Sequence, residues 1–259
     1  MDIYTKINKL KEILKGLQPG IIAVSGGLDS TVLAKFITSC NLDFKGVFFK
    51  GNHITNYEHK WAKRIFKDIG LDYIEFEINL LNLKEIKENK KNRCYVCKNY
   101  LFSTIRENAG DRTIIEGSHV DDQKEHRPGM DAIKGLGVVS PYKLVGMTKK
   151  DISILGRELG LPVNRFPTRP CLLTRFPYNS KIDPNILASI NSAESYILEL
   201  GLKNFRIRRI NREFKLHVLN REKDVFLRMQ DKIISKLKMF NINITEIVFK
   251  ERLSGFFDR

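Results

Sequence analysis

Residues 21–30 constrain the fold more than any other part of the chain. They read Ile-Ile-Ala-Val-Ser-Gly-Gly-Leu-Asp-Ser, and the four apolar residues that open the segment predict a short buried strand. Residues 31–37, which follow directly, have the apolar spacing of a helix. A strand, a glycine pair and a helix start together predict a phosphate-binding loop. Glycine lets the backbone approach an anion, and the first amides of a helix have no partner within it.

The polar residues of this loop extend the prediction. Ser25 and Ser30 offer hydroxyl donors, whereas Asp29 would repel a phosphate unless a cation lay between the two. We therefore predict that Asp29 helps to hold Mg²⁺, which prefers oxygen ligands. The loop is not a Walker A loop, because no Gly-Lys-Ser/Thr follows. The alternative is an ordinary tight turn with Asp29 as a helix-start charge.

Strand and helix patterns alternate through the first two thirds of the chain. Strands are predicted over residues 21–24, 44–49, 73–76, 112–116 and 137–139. Helices are predicted over residues 56–69, 80–88, 95–108 and 148–159. Repeated β–α units indicate an α/β fold with a parallel sheet, and ligands bind such sheets beyond the carboxyl ends of the strands. Gly117 follows a predicted strand, so we expect it to face the same crevice as residues 25–30.

The chain changes character after residue 160. Four prolines between residues 162 and 177 exclude a regular helix there. Later elements are predicted as a helix over 183–200, strands over 205–208 and 214–218, a helix over 221–238 and a strand over 244–249. We therefore predict an α/β domain over residues 1–165, a proline-rich linker over 166–182 that carries Cys171, and a smaller α+β domain for substrate binding and oligomerisation over 183–259.

Charge and hydropathy limit the class of partner. A net charge of +15 favours anionic partners such as nucleotides or RNA, although a general abundance of lysine explains it equally well. No stretch is long and apolar enough to predict a membrane span, and the first residues lack the apolar stretch of a signal peptide. We therefore expect a cytoplasmic location.

Three of the four cysteines form the second chemical signal. Cys94 and Cys97 make a CxxC pair between Arg93 and Lys98, two cations that favour the thiolate form, and Cys171 lies in the proline-rich segment. Three cysteines match a 4Fe-4S cluster in which one iron has no protein ligand. The alternatives are a zinc site, with Cys40 or a histidine as fourth ligand, and a redox pair.

Several motifs in order resemble the LarE-type sulfur transferases, a family of PP-loop ATP pyrophosphatases that thiolates a pyridinium nucleotide during synthesis of a nickel-pincer cofactor. Residues 25–30 resemble the SGGxDS signature shared by all PP-loop enzymes. The family's RCxxCK, EGxxxDD and RPG motifs resemble residues 93–98, 116–122 and 127–129. Its later motifs SP, GxTK, LGLP and ACLxSRxPY resemble residues 140–141, 146–149, 159–162 and 170–178.

The resemblance implies an activity and its cofactors. Such enzymes cleave ATP between the α and β phosphates, transfer AMP to a substrate oxygen and release pyrophosphate. Within the family, the cysteine that matches Cys171 is either consumed as the sulfur source or belongs to a three-cysteine 4Fe-4S site. This chain has all three cysteines and resembles the cluster-bearing form. ATP, Mg²⁺ and a 4Fe-4S cluster are therefore the expected cofactors, a small nucleotide and a sulfide or other sulfur donor the expected partners, and a homo-oligomer the expected assembly.

The resemblance also assigns roles to individual residues. The nucleotide would be held by Ser25, Gly26, Gly27, Asp29, Ser30 and Gly117. The catalytic residues would be Cys171, Asp29 and Glu194, and the metal ligands Cys94, Cys97 and Cys171. Arg206 and Arg208 alternate with apolar residues along a strand, so they share one face and would hold a substrate phosphate. For these arginines a solvated strand face is the alternative, and for Glu194 an ordinary helix-surface charge.

Three other functions fit parts of the sequence. A PP-loop tRNA thiolase would use a similar cluster and the positive charge, although no added RNA-binding module is recognisable. A nucleotide-binding redox sensor would use the cluster without thiolation. An amidating ligase of the NAD-synthase kind would leave the cysteines without a role.

Overall fold

The computed structural model describes residues 2–124, 132, 135–166 and 169–258 of the 259-residue chain. Residues 127–129, which carry the predicted RPG motif, and Pro167 of the proline-rich segment lie outside the described residues. The chain forms two compact units. The first consists of Met1–Lys50, Trp61–Glu77 and Cys94–Pro167. The second consists of Gly51–Lys60, Ile78–Arg93 and Thr168–Arg259.

A parallel sheet of four strands forms the framework of the first two thirds of the chain. The strands are β1 (Gly20–Ala23), β2 (Phe44–Gly51), β3 (Tyr73–Ile78) and β4 (Thr113–Ile115). Their order across the sheet is β3-β2-β1-β4, and β1 pairs in parallel with both β2 and β4. Ile21 and Ile22 on the central strand are buried. The α/β class with a parallel sheet is thereby confirmed.

Helices follow the strands much as the apolar spacing predicts. They are α1 (Ile3–Gly16), α2 (Leu28–Ser39), α3 (Asn56–Asp68), α4 (Lys84–Lys87), α5 (Arg93–Ala109), α6 (Pro141–Leu144) and α7 (Lys149–Glu158). The predicted apolar face of α2 is buried throughout, at Val32, Leu33, Phe36 and Ile37. Before α7, Thr148 and Asp151 cap each other's backbone amides, which fixes where that helix begins.

In the first two thirds of the chain, two predicted elements are wrong in detail. The strand predicted over residues 137–139 is only a single bridge between Val139 and Ile115, because Gly137, with φ of 64°, ends a turn just before it. The helix predicted over residues 80–88 is split into a 3₁₀ turn at Leu80–Asn82 and the short α4. Leu83 separates the two with an extended backbone.

The last part of the chain carries a second, three-stranded sheet. Its strands are β5 (Phe205–Ile210), β6 (Glu213–Leu219) and β7 (Ile244–Lys250), with β5 antiparallel and β7 parallel to the central β6. The helices are α8 (Pro184–Glu199), α9 (Lys223–Leu227) and α10 (Gln230–Met239). The single helix predicted over 221–238 is therefore interrupted. A smaller α+β region is confirmed.

The proline-rich segment contains no regular α-helix in its described part. Short 3₁₀ turns lie at Val163–Arg165 and Leu172–Arg175, and α8 then begins at Pro184 with Asp183 as its cap. Among the described helices, none combines the length and the hydropathy that crossing a bilayer would require.

Candidate functional site

The loop between β1 and α2 has the geometry of an anion site. Gly26 has a φ of 74°, and a Cβ atom added there would lie 2.8 Å from the Cβ of Ala62. Glycine is therefore required at this position both for its conformation and for space. Gly27 precedes the first turn of α2 and has no side chain to cap it, so the first amides of the helix are left for an external acceptor.

Two serine hydroxyls face each other across this loop. The Oγ atoms of Ser25 and Ser30 are 3.2 Å apart, and the backbone amide of Ser25 donates to Ser30 Oγ at 3.2 Å. The amide of Gly27 donates to Ser25 Oγ at 3.3 Å. The hydroxyls of Ser25 and Ser30 and the amides of Ser25 and Gly27 thus lie together in one short stretch of backbone.

Gly117 lies directly against the start of α2. A Cβ atom at Gly117 would be 3.0 Å from both the Cα and the nitrogen of Ser30. The carboxylate of the preceding Glu116 is buried and fixes the loop. It accepts from the amide and hydroxyl of Ser118, at 3.0 and 2.6 Å, and from the hydroxyl of Ser140. The structure thus places the two predicted loops side by side within the first unit.

Asp29 is paired with a lysine that the sequence analysis left without a role. The Nζ atom of Lys149 lies 2.5 Å from both carboxylate oxygens of Asp29. Tyr142 donates its hydroxyl to the backbone carbonyl of Asp29 at 3.3 Å, and burial together with the charge of Asp29 raises the pKa of that tyrosine well above its ordinary value. The predicted magnesium ligand is therefore partly exposed but already faces a cation.

A buried histidine lies among the acidic residues around this loop. The Nε2 atom of His119 is 3.9 Å from Asp29 Oδ2 and 3.7 Å from Asp122 Oδ2, and its Nδ1 atom is 3.9 Å from Asp121 Oδ2. His119 Nδ1 is buried and has no hydrogen-bond partner among the described residues. Three carboxylates thus approach one imidazole beside the start of α2.

The cysteines are placed on two local structures. Cys94 and Cys97 lie in the first turns of α5, with Cys94 exposed and Cys97 half-buried. Cys171 is also half-buried and precedes the 3₁₀ turn at residues 172–175, where its carbonyl accepts from the amide and the hydroxyl of Thr174. Across the described ranges, no three or more His, Cys, Asp or Glu side chains form a group that could hold a metal ion. The predicted cluster therefore remains a prediction from the cysteine pattern.

The second unit contains a buried carboxylate bound by arginines. Glu194 is fully buried, so the alternative of a helix-surface charge is wrong. Arg175 donates to both of its oxygens at 2.8 Å, Arg169 donates to Oε2, and the amide of Ile207 donates to Oε1 at 2.8 Å. Burial alone would raise the pKa of Glu194, but Arg175 and Arg169 outweigh it and hold the pKa at about 2.

The two arginines predicted to bind phosphate belong to the same cluster. Arg206 and Arg208 are 5% and 3% exposed, so the alternative of a solvated strand face is wrong. Burial and the like charge of Arg175 lower the pKa of both guanidinium groups, most strongly at Arg206. Arg208 donates to the carbonyls of Thr174 and Leu253 at 3.2 and 2.5 Å.

This cluster brings several positive charges close together. Among the described residues, the arginine side chains at positions 169, 175, 206 and 208 are buried near the carboxylate of Glu194, and Glu58 and Asp258 also act on the charges of Arg169 and Arg208. Buried cations are costly without compensating anions, so a cluster of this kind suits an anionic ligand. Sequence reasoning missed Arg169 and gave no role to Arg175. The family motif at residues 170–178 contains Arg175, but nothing in it indicates the pairing with Glu194.

Comparison with known proteins places the chain among relatives that match most of its length. No protein-family model matches it. An uncharacterized protein of Synechocystis sp. is 30% identical over 210 residues, which are 80% of this chain and 78% of the relative. An uncharacterized protein of Methanocaldococcus jannaschii is 29% identical over 89% of both chains. The pyridinium-3,5-bisthiocarboxylic acid mononucleotide synthase of Lactiplantibacillus plantarum is 27% identical over 91% of this chain and 87% of its own. Together with the ordered motifs and the α/β fold, these matches show that the chain belongs to the LarE-type sulfur transferase family.

Proposed function

We propose that this protein is an ATP-dependent sulfur transferase that acts on a carboxylate of a pyridinium or nicotinate-derived mononucleotide. The observation that carries the proposal is the strand–loop–helix at residues 23–30, with Gly117 packed against Ser30. The name of the Lactiplantibacillus plantarum relative supports the acceptor class, because that protein makes a thiocarboxylated pyridinium mononucleotide.

The first proposed step is adenylation. Ser25, Gly26, Gly27, Ser30 and Gly117 would hold the phosphates of ATP through amides and hydroxyls. A carboxylate oxygen of the acceptor forms a bond to the α-phosphorus, and the bond from that phosphorus to the bridging oxygen breaks. Pyrophosphate leaves with the electron pair, and the acceptor becomes an acyl adenylate. The loop contributes by positioning the phosphates and by directing fixed dipoles at the charge that develops on them.

Asp29 suits the metal that accompanies ATP. Its carboxylate side chain is 28% exposed, so it can be reached from solvent, and Mg²⁺ takes oxygen ligands of this kind. When bound, Mg²⁺ would neutralise charge on the leaving pyrophosphate. We therefore propose Asp29 as a catalytic residue that would help to hold Mg²⁺.

The buried arginines suit the phosphate of the mononucleotide acceptor. Glu194 engages Arg175 and Arg169 through both of its oxygens, and the guanidinium groups of Arg206 and Arg208 are buried close to this group. We assign the substrate phosphate to Arg206 and Arg208. Because the oxygens of Glu194 are bound by arginines, we assign it a positioning role through them.

The second proposed step replaces AMP by sulfur at the acyl carbon, which gives a thiocarboxylate and AMP. The soft thiolates of Cys94, Cys97 and Cys171 are donors that suit an iron–sulfur cluster, although the described residues contain no preformed group of three metal-binding side chains. The cluster, when bound, would supply a sulfide to the reaction. The assignment of Cys171 to sulfur transfer rests on this donor chemistry and on the resemblance.

The two steps can be tested separately with anaerobically purified protein. We expect the acceptor nucleotide to trigger pyrophosphate release from ATP and to gain sulfur, measured by mass spectrometry. Cys171→Ala should retain pyrophosphate release and lose thiocarboxylate formation, whereas Cys40→Ala, at the end of α2, should retain both. Equal loss of both activities in Cys171→Ala would contradict the assignment of Cys171 to sulfur transfer. Thiolated tRNA without thiocarboxylate would replace the proposal by the tRNA thiolase.

A further inference from the structure

Lys149 is held by its backbone in a fixed position beside Asp29. It is the first residue of α7, and the mutual cap of Thr148 and Asp151 fixes that helix start. Its own amide donates to Asp121 Oδ2 at 2.8 Å. The helix start is therefore tied to the acidic loop that follows β4, and the backbone of Lys149 is anchored at both places.

The side chain of Lys149 binds the carboxylate of Asp29, which a divalent cation at this site would also need. Lys149 Nζ lies 2.5 Å from each oxygen of Asp29, although 120 positions separate the two residues in sequence. An ammonium group and a divalent cation cannot share the same oxygen lone pairs at full strength. Lys149 therefore competes with any metal that binds Asp29.

The pair is also suited to exchange. The side chains of Lys149 and Asp29 are 49% and 28% exposed, so water can solvate either one after they separate. Exposed ion pairs contribute little free energy, about 0–1 kcal/mol, and lysine carries its charge on a flexible stem of four carbons. The ammonium group can move without unfolding the start of α7.

The surroundings of Asp29 are rich in carboxylates. Asp29 lies near His119, whose imidazole is also approached by Asp121 and Asp122. In the nucleotide-free loop, Lys149 adds a positive charge in direct contact with Asp29. Like charges in such proximity repel one another.

We propose that Lys149 is an exchangeable counter-cation of the nucleotide site. In the nucleotide-free protein it neutralises Asp29. When Mg²⁺ takes the carboxylate of Asp29, the ammonium group moves to the polyphosphate of ATP and adds a second positive charge there. This inference rests on the proposed nucleotide site and adds to it a residue that determines phosphate affinity.

The exchange predicts that loss of the Lys149 charge changes the affinities for Mg²⁺ and for Mg-ATP in opposite directions. Lys149→Gln removes the competitor of the metal, so Mg²⁺ alone should bind the nucleotide-free variant about 5-fold or more tightly than the wild type. The same variant loses a charged contact to phosphate, so Mg-ATP should bind about 10-fold or more weakly. Both affinities are measured by calorimetric titration. Lys150→Gln, at the next position, which is also exposed, makes the same change of net charge and should alter each affinity less than about 2-fold.

The outcomes distinguish an error in the proposed nucleotide site from an error in the proposed exchange. If the wild type binds no ATP with or without Mg²⁺, the proposed nucleotide site itself is wrong. If the wild type binds Mg-ATP and Lys149→Gln matches it in both titrations, the exchange is wrong and the nucleotide site stands. A variant that binds both Mg²⁺ and Mg-ATP more weakly also overturns the exchange. Removal of a group that competes with the metal should raise the affinity for Mg²⁺. Lys149→Arg keeps the charge and should keep ATP affinity within about 3-fold of the wild type. If the glutamine variant does not fold, the same titrations are made with Lys149→Met.

Discussion

Replacing Glu194 by glutamine should destabilise the protein strongly, because the change removes a buried negative charge that two buried arginine side chains contact. Glutamine keeps the size of the side chain and an oxygen that can accept from the amide of Ile207. It cannot neutralise Arg169 or Arg175, which are 1% and 0% exposed at the side chain. Both guanidinium groups would remain buried without their counter-charge.

The magnitude can be worked from the pKa of the carboxylate. The surrounding arginines lower the pKa of Glu194 from its ordinary 4.5 to about 2, against the opposing effect of burial. At about 1.4 kcal/mol per pH unit, this difference is worth about 3 kcal/mol of folding free energy. Removing one partner from a buried ion pair in proteins costs about 3–5 kcal/mol, and the value derived from the pKa falls at the lower end of this range.

The pH dependence has a definite sign. A carboxylate whose pKa is lower in the folded protein contributes its full stabilisation above the unfolded pKa and loses it as the pH falls through the folded pKa. The difference in unfolding free energy between wild type and Glu194→Gln should therefore be constant near neutral pH. It should shrink as the pH falls from about 4.5 towards about 2.

Urea denaturation followed by circular dichroism measures this difference. The matched control is Glu199→Gln on the same helix, where the side chain is 53% exposed and 3.8 Å from Lys60. We expect a loss below about 1 kcal/mol for that exposed pair. A Glu194→Gln variant within 1 kcal/mol of the wild type, or a difference that persists unchanged in acid, would refute the electrostatic account of the cluster.

Two further predictions concern the loop and the arginine cluster. Gly117→Ala should weaken ATP binding by about 10-fold or more and lower the unfolding free energy by about 1–3 kcal/mol, because its Cβ would press on the backbone of Ser30 at 3.0 Å. Gly16 ends α1, and a Cβ atom added there would meet nothing within 4 Å outside its chain neighbours and the backbone of its own helix. Gly16→Ala should therefore leave calorimetric ATP affinity unchanged and should not lower the unfolding free energy, since alanine favours a helix over glycine, and equal behaviour of the two variants would contradict this reasoning. Sulfate should raise the thermal midpoint of the wild type by binding at the buried arginines of the cluster, and this gain should be lost in Arg206→Gln. A sulfate-dependent rise that is the same in both proteins would show that the anion binds elsewhere.

The sequence predicts the strand, glycine turn and helix around residues 21–37 well because the signal is local. Ser25, the two glycines and Ser30 lie within six positions, and the strand and helix on either side have clear apolar spacing. The requirement for glycine at position 26 follows from backbone conformation, and the structure shows it as a φ of 74°. Fold class follows in the same way, from repeated strand and helix patterns.

Long-range ion pairs escape this kind of reasoning. Lys149 and Asp29 are 120 positions apart, and Arg169 and Glu194 are 25 apart, so no spacing rule connects them. The strand of Arg206 illustrates a second limit. Alternating charged and apolar residues ordinarily indicate one solvated face, yet both faces of this strand are buried, since an acidic partner and a histidine lie where solvent was expected.

Asp29 and Glu194 are both carboxylates held by cations, but burial gives them opposite character. The side chains of Asp29 and Lys149 are 28% and 49% exposed, so solvent can replace either partner and the pair can separate at small cost. Glu194 and its two arginines are at most 1% exposed, so nothing but another buried charge can replace a partner. The first arrangement suits a site whose ionic partners change as ligands bind, and the second suits a fixed frame that keeps arginines ready for an anion. Substitutions at the first should therefore change ligand affinities and leave the folded fraction almost unaltered, whereas substitutions at the second should first change how much of the protein is folded.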